Sequence, residues 1–323
     1  MLADQFYTFF EAEKLVSRFE DVLKGLGLEI QRGSELEQLC LNIIDIVEKH
    51  LKPHLRDPKA DIRDYFRGFV GMQDLMTKVI KAQENENFHQ LIPHLKKLNI
   101  ANPLQNIRTS VLNQENNKVF ELFVATLCLG LNTDQIYVDD PNQSKGDNPD
   151  IIARIDGNNW GFGCKALHSQ HHQTIFKNIE EAVDQIEKSE SEIGIPVLTI
   201  KNIVDHDQFW PVINIQEFES GEEPIFGSFL DLNVPASMMN AFVEKMYQEL
   251  VSHIGIENIR STFKDKKSQP GCLIYCPTAT SLVINQYPVT TRLNIFHLMP
   301  FDDVSMECIS VMKKLNHQLQ LTE

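Results

Sequence analysis

The chain has 323 residues, 42 % hydrophobic and 23 % charged, with a net charge of −15. That size and apolar content suit one large or two medium domains with real cores and exclude wholesale disorder, while the excess acid excludes a surface that grips nucleic acid all over, because phosphate affinity comes mainly from Lys and Arg. No apolar run reaches the roughly 18 residues needed to span a bilayer, and "MLADQFYTFFEAEKLV" lacks the basic region, apolar stretch and cleavage site of a secretion signal, so no membrane partner is expected.

Residues 1–102 read as helices. "FYTFFEAEKLVSRFEDVLKGLGL" sets Phe6, Phe9, Phe10, Leu15, Phe19, Val22 and Leu23 at helical spacing and ends at Gly25 and Gly27. "SELEQLCLNIIDIVEKHL" opens with Ser34 and Glu37, a capping box. Pro53 and Pro58 break the chain before "DIRDYFRGFVGMQDLMTKVIKA", capped by Asp61, and a shorter helix follows in "ENFHQLIPHLKKLNI". Arg63, Arg67, Lys78 and Lys81 form a basic stripe on the third helix, expected to be a solvated face. The bundle is read as an accessory region that needs a partner face, for a protein partner or for homo-oligomerisation.

Pro103 marks a boundary, so that 1–102 and 103–323 are taken as two domains. A helix is expected from about Gln105 to Gly130. After it the period changes: "IYVDD", "DIIARID", "WGFGCKAL", "IPVLTIKNIV", "GCLIYCPTAT" and "RLNIFHLM" read as strands, with helices in "TIFKNIEEAVDQIEKS" and "PASMMNAFVEKMYQELVSHI". That rhythm defines an α/β fold with a mixed central sheet flanked by helices. Glu187 to Asp231 carries ten acids against two lysines, including the acidic loop "INIQEFESGEEPIFGS". Such a surface serves solubility, docks a basic partner or guards a groove. "STFKDKKSQ" is basic and is expected to be an exposed hairpin or loop. Cysteines at 40, 128, 164, 272, 276 and 308 form no CxxC pair, which fits reduced thiols in a cytoplasm.

Chemistry concentrates in "NPDIIARIDGNNWGFGCKAL", residues 148–167. Pro149-Asp150 begins a strand, "GNN" turns the chain, and a second strand returns with Lys165. This arrangement resembles the PD-(D/E)xK, or restriction-endonuclease-like, nuclease superfamily over roughly residues 105–205. The resemblance implies a Mg²⁺-dependent (or Mn²⁺-dependent) phosphodiesterase acting on DNA in preference to RNA. It makes Asp150 the central metal ligand, the Cys164 backbone carbonyl a second, and Lys165 the group that orients the attacking water. Its members often add an acid from the preceding helix, for which Glu121 in "NKVFELFVATL" is the candidate. Nucleases of this kind also resemble effectors of bacterial antiviral defence. A catalytically inactive interaction subunit on the same fold is the alternative.

Gly163 departs from the motif, since it stands where the acid of (D/E)xK belongs. Some nucleases of this fold move that acid to the next helix, which here holds Glu180 and Glu181. At about 100° per residue, Glu180 falls on one border of the apolar face centred at Ile179, and Gln185 falls on the other. Glu180 is therefore the candidate migrated acid. Gln185 is the competing substrate contact, resembling the Gln of a QxxxY motif with Ser189 in place of Tyr. His168, in "HSQHHQ" with His171 and His172, is a candidate phosphate contact.

Overall fold

A computed structural model describes residues 9–51, 62–109, 115–142, 149–211 and 226–321. Phe6, Pro53, Pro58, the Asp61 cap and most of the acidic loop fall outside them. The helical N-terminal region comprises α1 (Phe9–Gly25), α2 (Glu35–Leu51), α3 (Ile62–Ala82) and α4 (Ile92–Lys97), the last preceded by a 3₁₀ turn at Glu86–Leu91. Half of the capping box forms at α2: Ser34 Oγ accepts the Glu37 N–H at 3.1 Å, while the Glu37 carboxylate accepts the Gly33 N–H, one residue before the cap, in place of the Ser34 N–H. α5 (Glu115–Gly130) follows.

Six strands then form one mixed sheet in sequential order: β1 (Ile136–Val138), β2 (Ile151–Ile155), β3 (Asn158–Ala166), β4 (Ile193–Thr199), β5 (Gly271–Ile284) and β6 (Tyr287–Pro300). β3–β4 and β4–β5 are parallel and the other pairs antiparallel. Parallel neighbours need crossovers. α6 (His172–Lys188) supplies the first, and α7 (Asn233–Ile254) with α8 (Ile256–Phe263) belongs to the second. α9 (Met306–Gln320) closes the chain.

Alternation along the strands divides the interior. Cys164, Val197, Leu273, Tyr275 and Phe296 face one core, shared with α1–α5 and α9. Leu198, Cys272, Ile274 and Cys276 face the other, under α6–α8. The protein is thus an α/β structure with a helical N-terminal region and helices on both faces of a mixed sheet. No described helix is long and apolar enough to cross a membrane, and all six cysteines are free and buried.

The basic stripe of α3 is not a solvated face. Arg63, Arg67 and Lys78 are buried, and only Lys81, paired with Glu84 at 2.6 Å, matches the expectation. Arg67 holds Asp64 and Asp207, Arg63 donates to the Trp210 carbonyl at 3.0 Å, and Lys78 donates to the carbonyls of Leu319 and Leu321. These bases fasten α3 to the segment after β4 and to the end of α9. The basic stretch after α8 is docked as well: Lys266 pairs with Asp184 of α6 at 2.6 Å, and Lys267 donates to the Ser189 carbonyl at 2.7 Å.

One buried histidine makes stability depend on pH. His206 lies between the Lys201 carbonyl (2.8 Å) and the Thr278 hydroxyl (3.0 Å), and burial lowers its pKa to about 4. The unfolded chain takes up this proton near 6.5 and the folded chain only near 4, so stability is full above 6.5 and falls as pH drops toward 4. Urea unfolding at pH 7 and pH 5 should show His206→Gln losing about 2 kcal/mol less than the parent over that interval.

Candidate active site

The β2–β3 hairpin sets the site. Its turn falls on Asp156-Gly157 rather than on "GNN", with φ of 53° and 87°. Positive φ at both positions is the type I′ geometry whose twist matches the flanking strands. The resulting register pairs Ile151 with Phe162, so Asp150 stands opposite Gly163 at the end of the ladder. Asp150 is only 3 % exposed, and its Oδ2 accepts the Cys164 N–H at 2.6 Å. The N–H and C=O of one strand residue point to the same side, so the Cys164 carbonyl leaves β3 toward Asp150.

α5 brings a second carboxylate. Glu121 is 3 % exposed and lies within hydrogen-bond reach of Asp150. Lys118, one turn earlier, donates to both Glu121 oxygens at 2.8 and 2.9 Å and stands 3.9 Å from Asp150 Oδ1. His94 of α4 places Nε2 3.2 Å from Glu121 Oε2. On the α6 side, Lys165 Nζ donates to Gln185 Oε1 at 2.7 Å.

Burial governs the charges. It raises the Asp150 pKa to about 7, and repulsion from Glu121 adds to the rise, while Lys165, Lys118 and the Cys164 N–H oppose it. Glu121 is raised by burial too, against the pull of Lys118 and Lys165. For Lys118, burial favours the neutral amine, but Glu121 and Asp150 outweigh it and the pKa rises. Burial, then Lys118, lowers His94 to about 4, so the ring is neutral at pH 7. A neutral ring that donates from Nε2 to Glu121 leaves Nδ1 as an acceptor, which has no partner among the described residues.

Gly163 has a packing reason. A Cβ there would lie 2.9 Å from the Ala182 Cβ and 3.0 Å from its Cα and carbonyl oxygen. α6 rests directly on this position, and no carboxylate could enter the site from it.

The structure therefore brings Asp150, Glu121, the Cys164 carbonyl, Lys165 and Gln185 to one end of the sheet. It does not bring Glu180, which is exposed on α6; between the two borders of that helix, the buried Gln185 is the one that meets Lys165. His168 is partly buried three residues beyond Lys165, its Nδ1 buried and without a partner among the described residues, and its pKa is lowered by burial and by Lys201. His171 stacks on His172 at a centroid distance of 4.4 Å, and His172 in turn stacks on His253 of α7 at 3.9 Å. Sequence reasoning missed Lys118 and His94. The i, i+3 spacing of Lys118 and Glu121 was available as a signal, whereas nothing local distinguishes His94.

No family model matches this chain, and no curated protein or solved structure matches it either.

The donor set suits a hard cation. Two carboxylates and a main-chain carbonyl are oxygen ligands, and Mg²⁺ binds through one or two carboxylates while keeping several waters. Cys164 contributes no soft ligand, since its side chain is packed in the core shared with α5.

Filling position 163 should damage packing rather than repair a motif. Gly163→Ala should cost roughly 1–3 kcal/mol, and Gly163→Asp more, read as lower melting temperatures. A Gly163→Asp protein as stable as the parent would contradict the packing account.

Proposed function

We propose that this chain is a Mg²⁺-dependent nuclease, similar in its site to the PD-(D/E)xK superfamily. The observation that carries the reading is the meeting of Asp150, Glu121 and Lys165 at one end of the sheet, from three separate elements. The cation would polarise the phosphoryl oxygen and lower the pKa of an attacking water. Asp150, Glu121 and the Cys164 carbonyl would hold it. Lys165 orients the water and offsets the charge that develops on the phosphate. Gln185 is a positioning residue, because its side-chain oxygen fixes the Lys165 ammonium. His168 lies three residues beyond Lys165 with its Nδ1 buried, so a contact to a phosphate oxygen would be made through Nε2. DNA is the preferred substrate over RNA on the resemblance alone, and a role as a cytoplasmic effector of antiviral defence rests on the same analogy. The helical region is read as the face for a protein partner or a second copy.

A second reading has its own observation. Lys118 already neutralises Glu121 from within the protein, which is what a non-catalytic interaction subunit with a structural ion network would show.

Purified protein incubated with plasmid, linear and single-stranded DNA and with RNA, in Mg²⁺, Mn²⁺ or EDTA, separates the two. Cleavage should require metal and fall at least about 100-fold in Asp150→Asn and Lys165→Ala. Glu180→Ala should cut at the parent rate, and Gln185→Ala should slow turnover more than it weakens substrate binding. Cleavage that survives in both Asp150→Asn and Lys165→Ala would overturn the site, and none on any substrate would favour the interaction subunit.

A further inference from the structure

We infer that Lys118 is an internal cation occupying the Asp150–Glu121 pair, which a divalent metal must displace before the site is complete. This rests on the metal-site reading above and adds a control that the reading does not require.

The geometry carries the inference. Asp150 Oδ2 is taken by the Cys164 N–H, which leaves Oδ1 facing Lys118 at 3.9 Å. Both oxygens of Glu121 are taken by the same ammonium, at 2.8 and 2.9 Å. Every carboxylate oxygen outside the Cys164 bond thus points at one positive charge. A Mg²⁺ or Mn²⁺ ion bonds carboxylate oxygens at about 2.1 Å, so an ion on these oxygens would share the space of the Lys118 ammonium, with like charges in contact. The two cannot be held together.

The two site lysines differ in freedom. Lys165 is anchored by Gln185 across the sheet face, and that bond involves neither carboxylate. Among the described residues Lys118 bonds only through the carboxylates a metal would take, its side chain is 18 % exposed, and it lies three residues into α5 from Glu115. Four methylenes allow the ammonium to swing to solvent without moving the helix. Exchange of ammonium for a divalent ion then raises the local charge by one, in an acid-rich pocket where Asp139 also acts on Lys118. The consequence is a threshold: the carboxylates stay compensated and in place without metal, and the metal binds more weakly than two free carboxylates would allow.

The experiment measures Mn²⁺ binding directly, by loss of the free-ion electron paramagnetic resonance signal at fixed ionic strength, in the full chain and in Lys118→Met. Removing one competing charge at contact distance should tighten Mn²⁺ binding at least about tenfold, and Asp150→Asn should abolish it in both backgrounds. Should Lys118→Met fail to fold, amine acylation of the parent read by mass spectrometry gives the same answer. Mn²⁺ should then increase labelling of Lys118 and leave Lys165 unchanged. Equal or weaker Mn²⁺ binding in Lys118→Met, or Lys118 labelling indifferent to Mn²⁺, overturns the inference while the metal site stands. No Mn²⁺ bound by either protein overturns the metal-site reading itself.

Discussion

Two carboxyl groups buried in contact, Asp150 and Glu121, impose the condition that the surrounding side chains meet. A buried carboxylate stripped of its partner costs about 3–5 kcal/mol, and here two repel each other as well. Three elements share the compensation. β3 gives the Cys164 N–H and Lys165, which acts on both carboxylates through space, α5 gives Lys118, and α4 gives His94. The same charges explain why His94 is neutral: a protonated ring beside Lys118 would add a second buried cation, and burial with Lys118 lowers its pKa to about 4. The helical N-terminal region is thereby part of the site, because α4 carries one of its hydrogen-bond partners.

Gly163 and Gln185 belong to one arrangement. Gln185 reaches Lys165 only because α6 lies close on β3, and α6 lies close because Ala182 sits against a residue with no side chain. An acid at 163 would lift the helix and withdraw the glutamine. The glycine therefore keeps Lys165 in its bond to Gln185, and the second carboxylate beside Asp150 comes from α5, as Glu121, instead of from position 163. Lysine held by glutamine on one side, carboxylates compensated by a second lysine on the other, is an arrangement in which each charged group has a fixed neighbour.

The parts of this site that were legible in the sequence are those with local signatures. Asp150 and Lys165 are joined by a hairpin whose turn residues announce it, and Glu121 sits amid the packed positions of a helix. The borders of α6 were legible too, but helical angles could not tell which border faces β3, and Gln185 rather than Glu180 proved to be buried. Long-range pairings left no local trace. The bases of α3 read as a solvated stripe because their partners, Asp207, Trp210 and the end of α9, are more than a hundred residues away. The arms of β5 and β6 extend beyond the expected strands because their turn, Asn285-Gln286, takes positive φ twice without a glycine, and Pro288 lies in an edge strand. α9 has no counterpart among the elements read from the sequence.

The acid excess takes a different meaning once the buried charges are located. Among the described residues the buried bases are Arg63, Arg67, Lys78, Lys97 and Lys201, against the acids Asp74, Glu121, Asp139 and Asp150. Burial thus withdraws slightly more base than acid, and the surface is no less acidic than the formal charge of −15. Several of these bases hold layers together: Lys201 donates to the Leu104 carbonyl at 3.0 Å, and Arg63 and Arg67 bridge α3 to Asp207. Such bases are unavailable to phosphates. A polyanion approaching this protein meets net repulsion from its acid excess. On the proposed nuclease reading, a nucleic acid must therefore be held by local contacts at the Asp150–Glu121 end of the sheet rather than by the surface at large.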